Sequence, residues 1–334
     1  MTSSNNDLNS SLKQELEGYR LRQTISRKLE KYGSLIGIAI VAIVFSLLSP
    51  YFLTLQNFLD IFRQISPALI VACGLTVAIA GGGFDLSVGS QASLACVLSI
   101  YLLLLGWSPP LAIAVALAGG ILLGAFNGFV CGTLGIVPWV GTLLTSFLAA
   151  GPQYILTLGG RVMYLPLEIA PGFVALGKGF TGPIPNSILV AVGIGLLSHL
   201  FMTKTKVGYH IVAMGSSKQA SRLAGISRIK YIWLIYIVSG LLSAAGGILL
   251  AARLSGAQVR TADPLLTDAI AAVFIGSTIL KEGEPHIWGT IIGVLFIGMM
   301  RTGITLLGVP YWGEYLFRGV IVFIAVFLSG IRSR

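Results

Sequence analysis

Between Arg63 and Arg161 the chain runs for nearly a hundred residues with a single ionised side chain, Asp85, in the stretch GGGFDLSVGS (81–90). Apolar runs such as LIGIAIVAIVFSLL (35–48) and LAIAVALAGGILLGAF (111–126) recur along the chain. A hydrocarbon core about 30 Å thick asks for helices of about twenty such residues. A closed β-barrel would instead show segments of about ten residues alternating in polarity, and these runs do not alternate. Only 10% of the residues are charged and 55% are hydrophobic, where a soluble domain carries about a quarter charged. The chain therefore reads as an all-α, polytopic membrane protein.

About ten transmembrane helices are expected, near 34–53, 64–81, 88–106, 111–130, 138–157, 186–202, 231–252, 265–280, 286–306 and 313–330. Basic residues mark the cytoplasmic side of a membrane protein, and the loop 203–230 holds Lys204, Lys206, Lys218, Arg222, Arg228 and Lys230 without an acid. That loop, both termini and the net charge of +10 place N- and C-termini in the cytoplasm. Residues 1–33 read as a cytoplasmic N-terminal arm, with Leu12, Leu16, Tyr19, Ile25, Leu29 and Tyr32 roughly on one face. Residues 34–334 form the transmembrane domain. Spans two to five and seven to ten make two four-helix blocks offset by five spans. An odd offset inverts the second block, as in transporters that alternate access between two sides.

Several functions are excluded. Cys73, Cys96 and Cys131 sit singly in apolar segments, and His199, His210 and His286 are scattered, without HExxH or paired CxxC motifs, so no metal site is expected. No loop holds GxxxxGK[ST], so the chain has no P-loop with which to hydrolyse ATP. LSGAQ (254–258) resembles an ATPase signature only by accident, since it directly follows a span.

The polar residues that remain are candidates. Three consecutive glycines each destabilise a helix by about 1 kcal/mol, so the second span ends or unwinds at 81–83. Asp85 and Ser87 then either cap the third span or belong to a translocation gate. A carboxylate facing lipid is costly, so Asp85 lies at the inner rim or faces a polar cavity. Thr142, Thr145 and Gln153 recur at helical spacing on the fifth span, lining a pathway or bonding their own backbone. Gly119, Gly120, Gly124, Gly128, Gly246 and Gly247 allow close helix approach. Glu314 and Arg318 are spaced for a helical ion pair. With Asp263 and Arg260 they lie near the outer face, where mutual neutralisation or a docking contact is expected. In KQASRLAGI (218–226), Ala220 and Ala224 lie four apart on a short helix that a partner's groove would grip; the alternative is a plain basic connector.

Four ordered motifs carry a resemblance: GGGFDLSVGS, NGFVCGTLGIVPWVGTLLTSF (127–147), VGYHIVAMGSSKQASRLAGI (207–226), and DAIAAVFIGSTIL followed by WGTIIGVLFIGMMRTGITLLGV. From about residue 34 to the C-terminus the chain resembles the permease subunits of sugar-type ATP-binding cassette importers, the ribose, xylose and galactose branch. The turn KEGEPH (281–286) is more charged than the family's glycine-rich one. The resemblance implies a subunit without catalysis or cofactor of its own, in the bacterial inner membrane. Its implied partners are a second permease copy or related chain, a periplasmic sugar-binding protein, and a cytoplasmic ATPase that binds ATP and Mg. By position Gly215, Ser217, Ala220, Arg222, Ala224 and Gly225 fall on the family's coupling helix. Two other readings stay open: an ion-coupled secondary transporter, which the nearly uncharged membrane centre disfavours, and an importer of another small solute such as branched-chain amino acids.

Overall fold

The computed structural model describes residues 39–278 and 283–310, with 312, 313, 315, 316, 319, 320 and 323 beyond them. The expected amphipathic arm, the Glu314–Arg318 pair and most of the tenth span lie outside the described residues. In chain order the helices are α1 (Ala39–Leu48), α2 (Leu55–Ala80), α3 (Val88–Leu104), α4 (Pro109–Gly128) and α5 (Pro138–Leu156). They continue as α6 (Pro171–Lys178), α7 (Asn186–Lys204), α8 (Lys206–Ser216), α9 (Lys218–Leu223), α10 (Arg228–Leu254), α11 (Pro264–Ser277) and α12 (Ile287–Leu306). Among the described residues five helices are long and apolar enough to cross a membrane, and α1, α3 and α11 are shorter apolar helices.

Local chemistry sets the starts. Proline, with φ already helical and no N–H to satisfy, opens α4, α5, α6 and α11. The Thr54 side chain caps α2, accepting from the Asn57 N–H at 3.3 Å. α2 therefore begins well before the expected 64: its first turns are polar, and Asp60 pairs with Gln56 at 3.2 Å and with Arg63 at 3.5 Å. Apolar content alone misses a helix that projects beyond the hydrocarbon.

α10 is the central helix, packed against α2, α3 and α4. Glycines permit these crossings. A Cβ on Gly120 would strike the Gly240 carbonyl, one on Gly124 the Tyr236 carbonyl, and one on Gly247 the backbone of Ala92. Without hydrophobic drive between helices in lipid, such backbone approach is what gives van der Waals contact its strength. The pairings repeat with the two blocks exchanged: α10 packs on α3 and α4 as α2 packs on α11 and α12, and α3 meets α4 as α11 meets α12. The exchange agrees with inverted blocks. At about 1.5 Å per residue α3 spans about 26 Å and α11 about 21 Å. Each follows an irregular loop with an aspartate, Asp85 in 81–87 and Asp263 in 255–263.

Between α5 and α7 the chain forms structure that hydropathy did not reveal. α6 packs on α10, with Gly177 against the backbone of Ala252 and Arg253. β1 (Met163–Tyr164) pairs antiparallel with β4 (Gly256–Ala257), and β2 (Phe180–Thr181) with β3 (Ile184–Pro185). Ala257 of LSGAQ is thus a buried ribbon residue.

Candidate functional site

α2 ends where expected. The N–H groups of Gly81, Gly82 and Gly83 return to Val77, Ile79 and Ala78 at 2.9–3.2 Å, and Gly82 takes a left-handed φ of +77°. The chain then runs without helix or strand and through a turn before α3, and α5 supplies the partners that its backbone lacks. Thr142 Oγ1 accepts from the Leu86 N–H at 3.0 Å, and the Ser146 hydroxyl donates to the Leu86 carbonyl at 3.3 Å. Irregular backbone within a membrane protein persists only where protein or water satisfies it.

Asp85, fully buried, is the hub of the break. Its Oδ1 accepts from the Ser87 N–H at 2.9 Å and the Ser87 hydroxyl at 2.5 Å, and its Oδ2 from Ser239 of α10 at 2.7 Å. Asn127 of α4 donates to Ser87 Oγ at 2.9 Å and accepts from Thr145 of α5 at 2.5 Å, while Gln91 of α3 donates to Ser87 Oγ at 2.6 Å. One carboxylate thereby draws four helices together through hydroxyls and amides. A buried carboxyl group without a nearby cation needs such hydrogen-bond partners.

The expected site residues thus gather, but not on an open face. Asp85, Ser87, Thr142, Thr145 and Gln153 are all fully buried, at the seam between α5 and α3. The exposed face of α5 carries Trp139, Leu143, Phe147 and Ile155 instead. Thr142 and Thr145 also donate to their own i−4 carbonyls, at 2.8 and 3.3 Å. Gln153 clamps both ends of the seam: it donates to the Ser90 carbonyl at 3.2 Å and accepts from the Arg260 N–H at 2.9 Å. Sequence reasoning missed Asn127, Ser146, Ser239 and Gln91. Asn127 had a usable signal, as the lone amide of the fourth span.

The loop 255–263 sits against the first turns of α3, with Gly89 close to the Asp263 backbone. Ser93 of α3 donates to Asp263 Oδ1 at 2.8 Å and accepts from the Ala262 N–H at 2.9 Å. Arg260 Nε donates to Asp263 Oδ2 at 2.6 Å, a bond that raises the arginine above its ordinary pKa. This pair is mutual neutralisation.

The basic loop folds as two helices. The Ser217 side chain caps α9 by accepting from the Ala220 N–H at 3.2 Å, and the Ser221 hydroxyl donates to Ala213 and Ser217 carbonyls, both at 2.8 Å, fastening α9 to α8. Gly225 at φ +73° closes the end, with the Ile226 N–H on the Ser221 carbonyl at 3.0 Å. Ser217, Ala220, Arg222 and Ala224 face outward as expected. The prominent knob is a residue not singled out, Leu223, which is 90% exposed. Gly215 has a second part: it abuts Ala80 and Gly82, tying α8 to the break.

The chain is similar to known permeases along nearly its whole length. It is 33% identical over 305 residues to the ribose import permease protein RbsC of Bacillus subtilis (strain 168), covering 91% of this chain and 94% of that one. It is 33% identical to the galactofuranose transporter permease protein YtfT of Escherichia coli (strain K12), covering 90% and 92%. It is 34% identical to the probable ABC transporter permease protein YphD of Escherichia coli (strain K12), covering 92% and 91%. No solved structure gives a significant match. With residues 57–326 matching the model of the family described as branched-chain amino acid transport system / permease component, the chain belongs to that family of multi-pass membrane permeases.

Proposed function

We propose that this chain is the permease subunit of an ATP-binding cassette importer that moves a monosaccharide across the bacterial inner membrane. The observation that carries the proposal is the direct path from an exposed knob to a helix break. Leu223, Ala220 and Ala224 of the α9 turn project outward, Ser221 bonds α9 to α8, and Gly215 of α8 presses on Ala80 and Gly82 beside Asp85. A partner ATPase that binds ATP and Mg would grip α9, and its closure would displace α8 against the break. The Asp85 hub would then pass that displacement to α3, α4, α5 and α10, biasing an alternating-access equilibrium.

Residues 34–334 form the permease domain, 203–230 its coupling loop, and 1–33 a cytoplasmic arm. A second permease copy or related chain and a periplasmic sugar-binding protein complete the assembly. Ribose and galactofuranose in the names of its relatives support a monosaccharide cargo over an amino acid.

Co-purification tests the reading. The chain, tagged at its C-terminus and extracted in mild detergent, should recover an ATPase subunit, and Ala220→Glu or Leu223→Glu should lose it. Burying a leucine contributes about 1.5–3 kcal/mol, so Leu223→Ser should weaken the association about tenfold to a hundredfold. Recovery of the chain alone, with uptake in liposomes driven by an ion gradient, would sink the proposal.

A further inference from the structure

Beneath the break lies a cavity of about 350 Å³. Its lining includes Gly82, Cys131, Pro138, Lys218, Arg228 and Tyr236. Among the described residues that line it there is no carboxylate; both oxygens of Asp85 are held by Ser87 and Ser239. Two long helices, α5 and α10, begin at its wall, at Pro138 and Arg228, and neither start has a side-chain cap. The uncapped start of α10 presents N–H groups and the positive end of its dipole, while α5 opens on a proline without an N–H and offers the dipole alone. Lys218 and Arg228 are exposed. Positive charge and the backbone donors at the start of α10 thus converge on one space.

The surroundings say what kind of anion fits. Leu134, Val137, Trp139 and Ile229 form an exposed apolar apron next to the opening. A free anion gains nothing from such a surface, whereas acyl chains would cover it, and tryptophan is favoured at headgroup depth. Basic pockets between membrane helices are the usual seats of acidic headgroups. We infer that this cavity is a binding site for an anionic phospholipid, its phosphate against Lys218 and Arg228 and its acyl chains along the apron. The lipid braces the starts of α5 and α10 beside the break, so its presence stiffens the element that α8 moves.

The test is lipid retention by the full-length chain, which does not depend on any transport reading. The protein is placed in nanodiscs of mixed phosphatidylglycerol and phosphatidylcholine and released into a native mass spectrometer. Wild type should retain phosphatidylglycerol in preference. Lys218→Gln and Arg228→Gln, both at exposed positions that leave folding intact, should each reduce retention about fivefold. Added inorganic phosphate should not displace the lipid. Equal retention in the Lys218→Gln/Arg228→Gln double variant, or equal retention of phosphatidylcholine, overturns the site. Displacement by inorganic phosphate overturns the lipid in favour of a free anion.

Discussion

Gly215 of α8 lies so close to the carbonyl of Ala80, the last residue of α2, that no side chain fits between them. The contact joins the basic α8–α9 loop to the helix break that leads to Asp85. It depends on backbone meeting backbone, so any larger residue forces the two apart.

Gly215→Ala should therefore impair transport while α9 keeps its partner. Forced overpacking costs about 1–3 kcal/mol, and here the Ala80 carbonyl is fixed in its helix, so α8 is what moves. The expected outcome is uptake reduced at least about tenfold with undiminished ATPase co-purification. Wild-type uptake would mean that α8 transmits nothing to the break.

Asp85 separates two roles by two substitutions. Asp85→Asn keeps an acceptor for the Ser87 N–H and shape for the hub, so abundance should stay near wild type while uptake falls. Asp85→Leu leaves Ser239, Ser87 and the Ser87 N–H without their acceptor, at about 1–3 kcal/mol for each buried group, and should lower membrane abundance as well. Quantitative immunoblotting beside an uptake assay measures both. Full uptake by Asp85→Asn would reduce the residue to a structural cap.

Gln153 holds the starts of α3 and the loop 255–263 on one side chain. In Gln153→Leu the Arg260 N–H, at a left-handed φ of +62°, loses its acceptor, and the loop should loosen. A single cysteine at the exposed Gln258, in a background lacking Cys73, Cys96 and Cys131, should then be labelled several-fold faster. Gln153→Glu retains the acceptor and should fall between. Unchanged labelling would show that β1 and Ser93 suffice to hold the loop.

Gly120 tests the packing of the two blocks. A methyl group there meets the Gly240 carbonyl and the Ala244 side chain, and both lie on the rigid central helix. Gly120→Ala should lower the melting temperature of the detergent-solubilised chain by several degrees, whereas Gly193→Ala, with open space around it, should leave it unchanged.

Much of the architecture was legible one segment at a time. Starts at 88, 138 and 186 coincide with α3, α5 and α7 because proline, a cap residue or a glycine break sits beside each apolar run. α2 was placed too short, since a helix that projects from the bilayer has polar first turns. α6 and the two ribbons were invisible, because two-residue strands have no periodicity to read. Asp85 stood out as the lone charge in its stretch. Its partners did not, since one serine or asparagine in an apolar run looks the same whether it faces a carboxylate or its own backbone.

Sequence by itself determined the membrane class, the glycine break at 81–83 and the basic loop. These follow from composition and from conformational preferences that act within a few residues. Only the tertiary structure decided that Thr142, Thr145 and Gln153 are buried against α3, that Leu223 is exposed, and that the hydrogen bonds around Asp85 join four helices. Which way a polar side chain turns depends on what the rest of the chain brings opposite it. In this protein such partners lie far along the chain, 154 residues for Ser239 and Asp85 and 170 for Asp263 and Ser93.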